Sequence, residues 1–131
     1  MKVVTGYLYS KDHEWLKVDG RTGLIGITDY AQSELGDIVY VDLPKVQTLI
    51  EKSKSICTIE AVKTVADVYA PVSGKIIAVN TQINSSPELI NKNPYDQGWI
   101  AKVELSPQAD LSELLSATAY EKFLGEIKAS H

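Results

Sequence analysis

From residue 7 to about residue 107 the chain never runs apolar for more than a few residues before Gly, Pro, Asn or Asp interrupts it. That rhythm predicts many short strands and leaves little room for long helices. Trp15-Leu16-Lys17-Val18 and Thr22-Gly23-Leu24-Ile25-Gly26-Ile27 flank Asp19-Gly20, a strong hairpin signal. Thr28 or Asp29 caps a short helix near 29–35, and Gly36 stands where the helix must stop. Ile38 to Leu43 reads as a strand that ends at Pro44. Ser55–Val62 and Val65–Ala70 read as paired strands with Lys63 and Thr64 between them, Pro71–Gly74 as a turn, and Lys75–Val79 as a further strand. Asn93–Gly98 is a loop by composition, and Trp99–Leu105 alternates with period two. After that the period changes. Leu111, Leu114 and Leu115, then Ala119 to Ile127, have helical spacing, with Ser106, Asp110 and Ser116 as start signals, so helices are expected near 110–127. The expected fold class is α+β, mainly β, in a single domain over residues 1–131.

Composition narrows the function. Thirteen basic residues against seventeen acidic give a net charge of −4, the wrong sign for a nucleic-acid face. No apolar run approaches a membrane span, and Met1–Gly6 lacks the apolar core of a secretory signal. The expected compartment is the cytoplasm, or the mitochondrial matrix for a trimmed organellar protein. One cysteine, Cys57, excludes a disulfide framework, and His13 and His131 are too few for a histidine-rich metal cluster. No phosphate-binding glycine loop and no G-x-S-x-G elbow occurs. A Cys57–His13 nucleophile pair is conceivable, but a lone cysteine in a strand is usually a small buried hydrophobe. Asn84-Ser85-Ser86 matches a glycosylation sequon and, with no secretory signal, reads as a polar loop. The expectation is a chain that is not an enzyme and holds no metal.

Lys63 is set apart by its position at a bend between apolar strands. Glu60 precedes it by three residues, and Ala70-Pro71-Val72-Ser73-Gly74 follows. This pattern resembles the modification hairpin of lipoyl and biotinyl carrier domains. The resemblance widens with His13-Glu14-Trp15, Gly26-Ile27-Thr28-Asp29-Tyr30-Ala31-Gln32, Leu35-Gly36-Asp37 through Leu43-Pro44, Glu60-Ala61-Val62-Lys63, Pro87-Glu88-Leu89-Ile90-Asn91, Asn93-Pro94-Tyr95, Gly98-Trp99-Ile100 and Ala119 to Leu124. Over roughly residues 7 to 124 the chain resembles the glycine cleavage system H protein family.

The resemblance implies a barrel-sandwich hybrid of two small antiparallel sheets with added helices. It implies lipoate bound covalently to Lys63, with Glu60 and Gly74 read by the modifying lipoate ligase or lipoyl/octanoyl transferase. The carrier would take an aminomethyl group from glycine decarboxylase (P protein) to the T protein and pass electrons to dihydrolipoamide dehydrogenase (L protein). Glu14 and Asp67, with Asp12 beside them, match positions that would receive the cargo amine in a cleft, and Leu35 and Thr64 are further cleft candidates. A shuttle visiting three larger enzymes is expected to be a monomer. Gln47, Ser53 and Cys57 replace residues that are usually glycine in the family, and Ala61 replaces its serine. Gln47 stands where a turn needs positive φ. These departures leave open a diverged lipoyl relay or an unmodified interaction module. A biotin carrier prefers methionine on both sides of its lysine, and Val62 and Thr64 stand there instead.

Overall fold

The computed structural model describes residues 1–129, so His131, weighed above as a metal ligand, lies outside the described residues. The elements in chain order are β1 (Leu8–Tyr9), β2 (Glu14–Asp19), β3 (Thr22–Ile27), α1 (Asp29–Leu35), β4 (Ile38–Asp42), β5 (Leu49–Ile50), β6 (Ser55–Ala61), β7 (Val65–Tyr69), β8 (Gly74–Val79), α2 (Gln82–Ser85), α3 (Leu89–Lys92), β9 (Ala101–Leu105) and α4 (Ala117–Ala129). They form two antiparallel sheets, one ordered β1-β2-β3-β9-β8-β5 and the other β4-β6-β7.

The β2–β3 hairpin closes with Asp19 opposite Thr22, and Gly20 takes φ +62° at the bend. Thr28 caps α1 by accepting the Ala31 N–H, and Gly36 ends it at φ +76° with its own N–H on the Gln32 carbonyl. Along β9 the period-two expectation holds, with Ala101 and Val103 buried and Glu104 exposed. Leu16, Ile25 and Ile27 of the larger sheet meet Val41, Ile59 and Val68 of the smaller one in a shared aliphatic core. Each such side chain contributes about 1.5–3 kcal/mol. A second, aromatic cluster of Tyr9, Trp15, Tyr95 and Tyr120 anchors α4 at one end of the larger sheet. There Gly26 lies opposite Trp15, and any Cβ on it would come within 2.6 Å of the indole.

Two expectations need correcting. Residues 110–116 are not helical, and one helix, α4, occupies the C-terminal region. The Asp110 carboxylate accepts the Ser112 N–H, and the Ser106 hydroxyl accepts the Gln108 N–H. Both bonds close local turns that compete with helix formation. Only Ser116 acts as a start signal, accepting the Ala119 N–H. Leu115 instead pairs with Tyr9 through two backbone bonds. The four-residue helices α2 and α3 are too short to show a period in sequence. Each buries one isoleucine, Ile83 and Ile90.

Candidate functional site

The site has two poles. The first is the β6–β7 bend. The Ala61 N–H donates to the Thr64 carbonyl, so Val62 and Lys63 occupy the turn itself. The Val62 N–H donates to the Asp37 carbonyl and ties the bend to the segment that follows α1. Lys63 is exposed, and among the described residues it makes no ion pair. Its stem lies over Gly36, where an added Cβ would sit 3.2 Å from Cε and 3.6 Å from Nζ. The ammonium thus rests at the carbonyl end of α1, the end that favours a cation. Exposed Val62, Val65 and Tyr40 surround the bend, and exposed Glu60 and Thr64 flank it.

The second pole is Glu14, the first residue of β2, only 2% exposed. Its Oε1 accepts the Ser10 hydroxyl at 2.6 Å, and the same hydroxyl accepts the Glu14 N–H. Its Oε2 accepts the Tyr69 N–H at 3.3 Å. Burial pushes the carboxyl up to about 7; the Ser10 bond opposes this and the Asp12 charge adds to it. The residue before it, His13, holds φ +69°. Its carbonyl accepts the Thr28 N–H, and its Nδ1 is 2.8 Å from the Tyr120 hydroxyl, itself 2.8 Å from Thr28 Oγ1. The Glu14 backbone is therefore anchored to α4 and to the start of α1.

Glu14 and Asp12 line a cleft of about 410 Å³ together with Ser10, Lys52, Ser53 and Glu113. Lys52 and Glu113 form an ion pair at 3.3 Å. Asp67, Leu35 and Thr64 do not line that cleft. Asp67 is exposed on β7 and accepts the Ser55 hydroxyl at 2.9 Å. Buried Cys57 feels the charges of Asp42, Glu14 and Asp67 together, and burial pushes its thiol up to about 12. A thiol so far from ionisation is no nucleophile, and the His13 ring is engaged by Tyr120. Leu35, half-buried on α1, and Thr64 belong to the Lys63 pole. Gly74 is not at the tip; it opens β8 opposite Leu105 and Ile50, and any Cβ there would fall on the Glu104 carbonyl oxygen. Packing alone therefore requires glycine at this position.

Sequence reading missed Ser10, Tyr69 and Gly36. Ser10 and Tyr69 act by reaching a carboxylate that the fold brings to them, and no local pattern marks them. Gly36 was visible only as a helix terminator. No cluster of three or more His, Cys, Asp or Glu side chains able to hold a metal occurs among the described residues, nor any helix long and apolar enough to cross a membrane.

The family model described as "Glycine cleavage H-protein" matches residues 7–127. The chain belongs to this family. A glycine cleavage system H protein of Staphylococcus haemolyticus is 50% identical over 126 residues, covering 96% of this chain and 100% of that protein. One from Listeria monocytogenes is 53% identical over 124 residues, covering 95% and 99%. The crystal structure of a glycine cleavage system H protein from Mycobacterium marinum superposes with a TM-score of 0.86 at 35% identity, covering 94% of this chain and 99% of that one. It carries the family fold, two antiparallel sheets with short helices.

Proposed function

We propose that the chain is the lipoyl carrier of a glycine cleavage system, with lipoate held as an amide on Lys63 Nζ. The observation that carries this reading is the pairing of poles. An exposed, unpaired amine sits at a tight bend, and a buried carboxylate of β2 with one long hydrogen bond, from the Tyr69 N–H, sits beside the far end of β7, the strand that leaves that bend. The lipoyl group, when attached, supplies thiol–disulfide chemistry. The chain's own residues do the rest. The bend presents the amine to a lipoate ligase or lipoyl/octanoyl transferase, for which Glu60 is a nearby charged mark. Acylation removes the ammonium and with it the attraction to the end of α1. Glu14 is the receiver for a cationic aminomethyl cargo, with Asp67 and Asp12 as neighbouring carboxylates. A cation arriving there lowers the carboxyl's pKa and leaves a desolvated ion pair. Leu35 and Thr64 flank the arm's root.

The partners on this reading are the P, T and L proteins, and the carrier is a non-catalytic cytoplasmic monomer. The departures at Gln47 and Ser53 do not undo the turns, because both residues adopt the left-handed conformation, φ +78° and +72°. Intact mass after incubation with lipoate, ATP and lipoate ligase tests the reading. One lipoyl increment, absent in Lys63→Arg, is expected; no increment, or a biotin increment with biotin ligase, overturns it. Glycine–bicarbonate exchange with a P protein then separates a true H protein from a relay carrier, which would not support it.

A further inference from the structure

Glu14 is held by two donors, and each sits one residue from the bonds that fix a wall of its cleft. Ser10 follows Tyr9, whose backbone pairs with Leu115 and so fixes the segment that carries Glu113. Tyr69 precedes Ala70, whose carbonyl accepts the Ser53 N–H and whose N–H donates to the Lys54 carbonyl, fixing the turn that carries Lys52. The Lys52 N–H is itself held by Ser73 Oγ. The Lys52–Glu113 ion pair thus joins two segments that converge on Glu14, and all three residues line the same cleft of about 410 Å³.

Two lysines line this cleft, yet both are turned to other partners. Lys11 lies over the Phe123 ring at 5.9 Å, and Lys52 Nζ is 3.3 Å from Glu113 Oε2. Asp110, on the same segment as Glu113, also feels the Lys52 charge. The charge that bears on Glu14 is that of Asp12, another anion, and its two donors, the Ser10 hydroxyl and the Tyr69 N–H, are neutral. Cys57 of β6 and Tyr120 of α4, which feel the Glu14 charge, are neutral as well. A lysine stem is about 6 Å long, so rotation about its own bonds carries the Lys52 ammonium from the rim of such a cleft toward its floor.

We propose that Glu113, with Asp110, holds the Lys52 ammonium away from Glu14 and so keeps that buried carboxylate free for an incoming ammonium group. The inference rests on the carrier reading for the identity of that group, the aminomethyl cargo. Glu113 and Asp110 are positioning residues: they act through Lys52 and touch no cargo. The balance is close. At the rim both partners stay in contact with water and their pair is weak. Beside Glu14 the attraction is stronger, but both charges lose water. Removing the rim carboxylates tips Lys52 inward, where it becomes an internal counter-ion that competes with the cargo.

The test follows the Glu14 carboxyl by ¹³C NMR across pH in the unmodified chain. Four forms are compared: the parent, Lys52→Gln, the loop-neutral variant Asp110→Asn/Glu113→Gln, and that variant with Lys52→Gln added. In the loop-neutral variant the titration should fall by about half a pH unit, roughly threefold in the acid constant. Adding Lys52→Gln should return it to the parental position, whereas Lys52→Gln alone should barely move it. An unchanged titration in the loop-neutral variant overturns the proposal. So does a fall that persists without Lys52, or an equal effect of Lys52→Gln in both backgrounds, since either is the through-space action of fixed charges and not a moved lysine. A second measurement follows loss of the aminomethyl cargo to water from the chain loaded by a P protein. It should be about threefold faster in the loop-neutral variant and parental once Lys52→Gln is added; equal lifetimes in all forms exclude the competition. A chain that cannot be loaded overturns the carrier reading, and the titration still decides where Lys52 is held.

Discussion

The two poles of the site are built in opposite ways. Lys63 hangs from a bend whose neighbours are exposed, and little beyond the Ala61–Thr64 and Val62–Asp37 bonds fixes it. Glu14 sits inside a network in which Ser10, Tyr69, His13, Thr28 and Tyr120 each make a hydrogen bond that helps set its place. A group that must be reached by several enzymes gains from exposure. A group that must hold a charge out of water needs a fixed surrounding. Stability should therefore be concentrated at one pole and nearly indifferent to changes at the other.

The largest expected effect comes from the anchor of the receiving pole. Tyr120 is fully buried, stacks on Tyr9 at 4.6 Å and bonds both His13 and Thr28. Tyr120→Ala should cost about 3–5 kcal/mol in urea unfolding. At the other pole Val62→Ser should stay within about 0.5 kcal/mol, because Val62 is 75% exposed. Similar losses in the two variants would break the contrast.

Next comes the cost of keeping Glu14 dry. Its carboxyl is raised from 4.5 to about 7 in the folded chain, so between those values the native state binds a proton that the unfolded state has lost. Stability then falls as pH rises through that window. Below 4.5 both states are protonated and there is no penalty; above 7 it is complete, on the order of 3 kcal/mol. Glu14→Gln should be more stable than the parent by about that amount at pH 8, with the difference vanishing toward pH 4.5. Chemical denaturation across pH checks this, with Lys63→Arg as the variant expected to follow the parent. A constant difference between Glu14→Gln and the parent would refute it.

Ser10→Ala sharpens the same point. Loss of the 2.6 Å bond to Oε1 should cost about 1.5–3 kcal/mol where Glu14 is ionised. The carboxyl titration, followed by ¹³C NMR, should move to still higher pH, because the bond favours the charged form. A smaller shift, or one downward, would place the control of Glu14 elsewhere.

What the sequence revealed divides along the same line. Asp19-Gly20, Thr28, Gly36 and the Lys63 bend were legible because turns and caps are written in neighbouring residues. Even there the bend sits one residue earlier than expected, at Val62-Lys63. The burial of Glu14 was not legible, since it depends on Tyr69, fifty-five residues away. The leucines at 111, 114 and 115 misled because helical spacing also suits a turn followed by a bridge to Tyr9, and only the third dimension decides between them. The cleft residues were named through the resemblance, yet they divide between two poles and an edge strand.

The smallest expected effects test the three positions where the resemblance leads one to look for glycine. Gln47 and Ser53 each hold positive φ as the third residue of a four-residue turn, closed by Thr48 N–H to Lys45 C=O and by Lys54 N–H to Glu51 C=O. A left-handed side chain costs about 1–2 kcal/mol, and glycine returns part of that through its freer unfolded chain. Gln47→Gly and Ser53→Gly should each stabilise by about 0.5–1 kcal/mol. Cys57 differs. It is buried within β6 and is not among the residues with positive φ, so a glycine there relieves nothing and removes a packed side chain. Cys57→Gly should destabilise by about 1–2 kcal/mol, the opposite sign. If all three shifted thermal midpoints in the same direction, backbone conformation would not be what distinguishes them. Opposite signs would mean that two of these departures strain turns, the one at Ser53 lining the cleft, and the third fills the core.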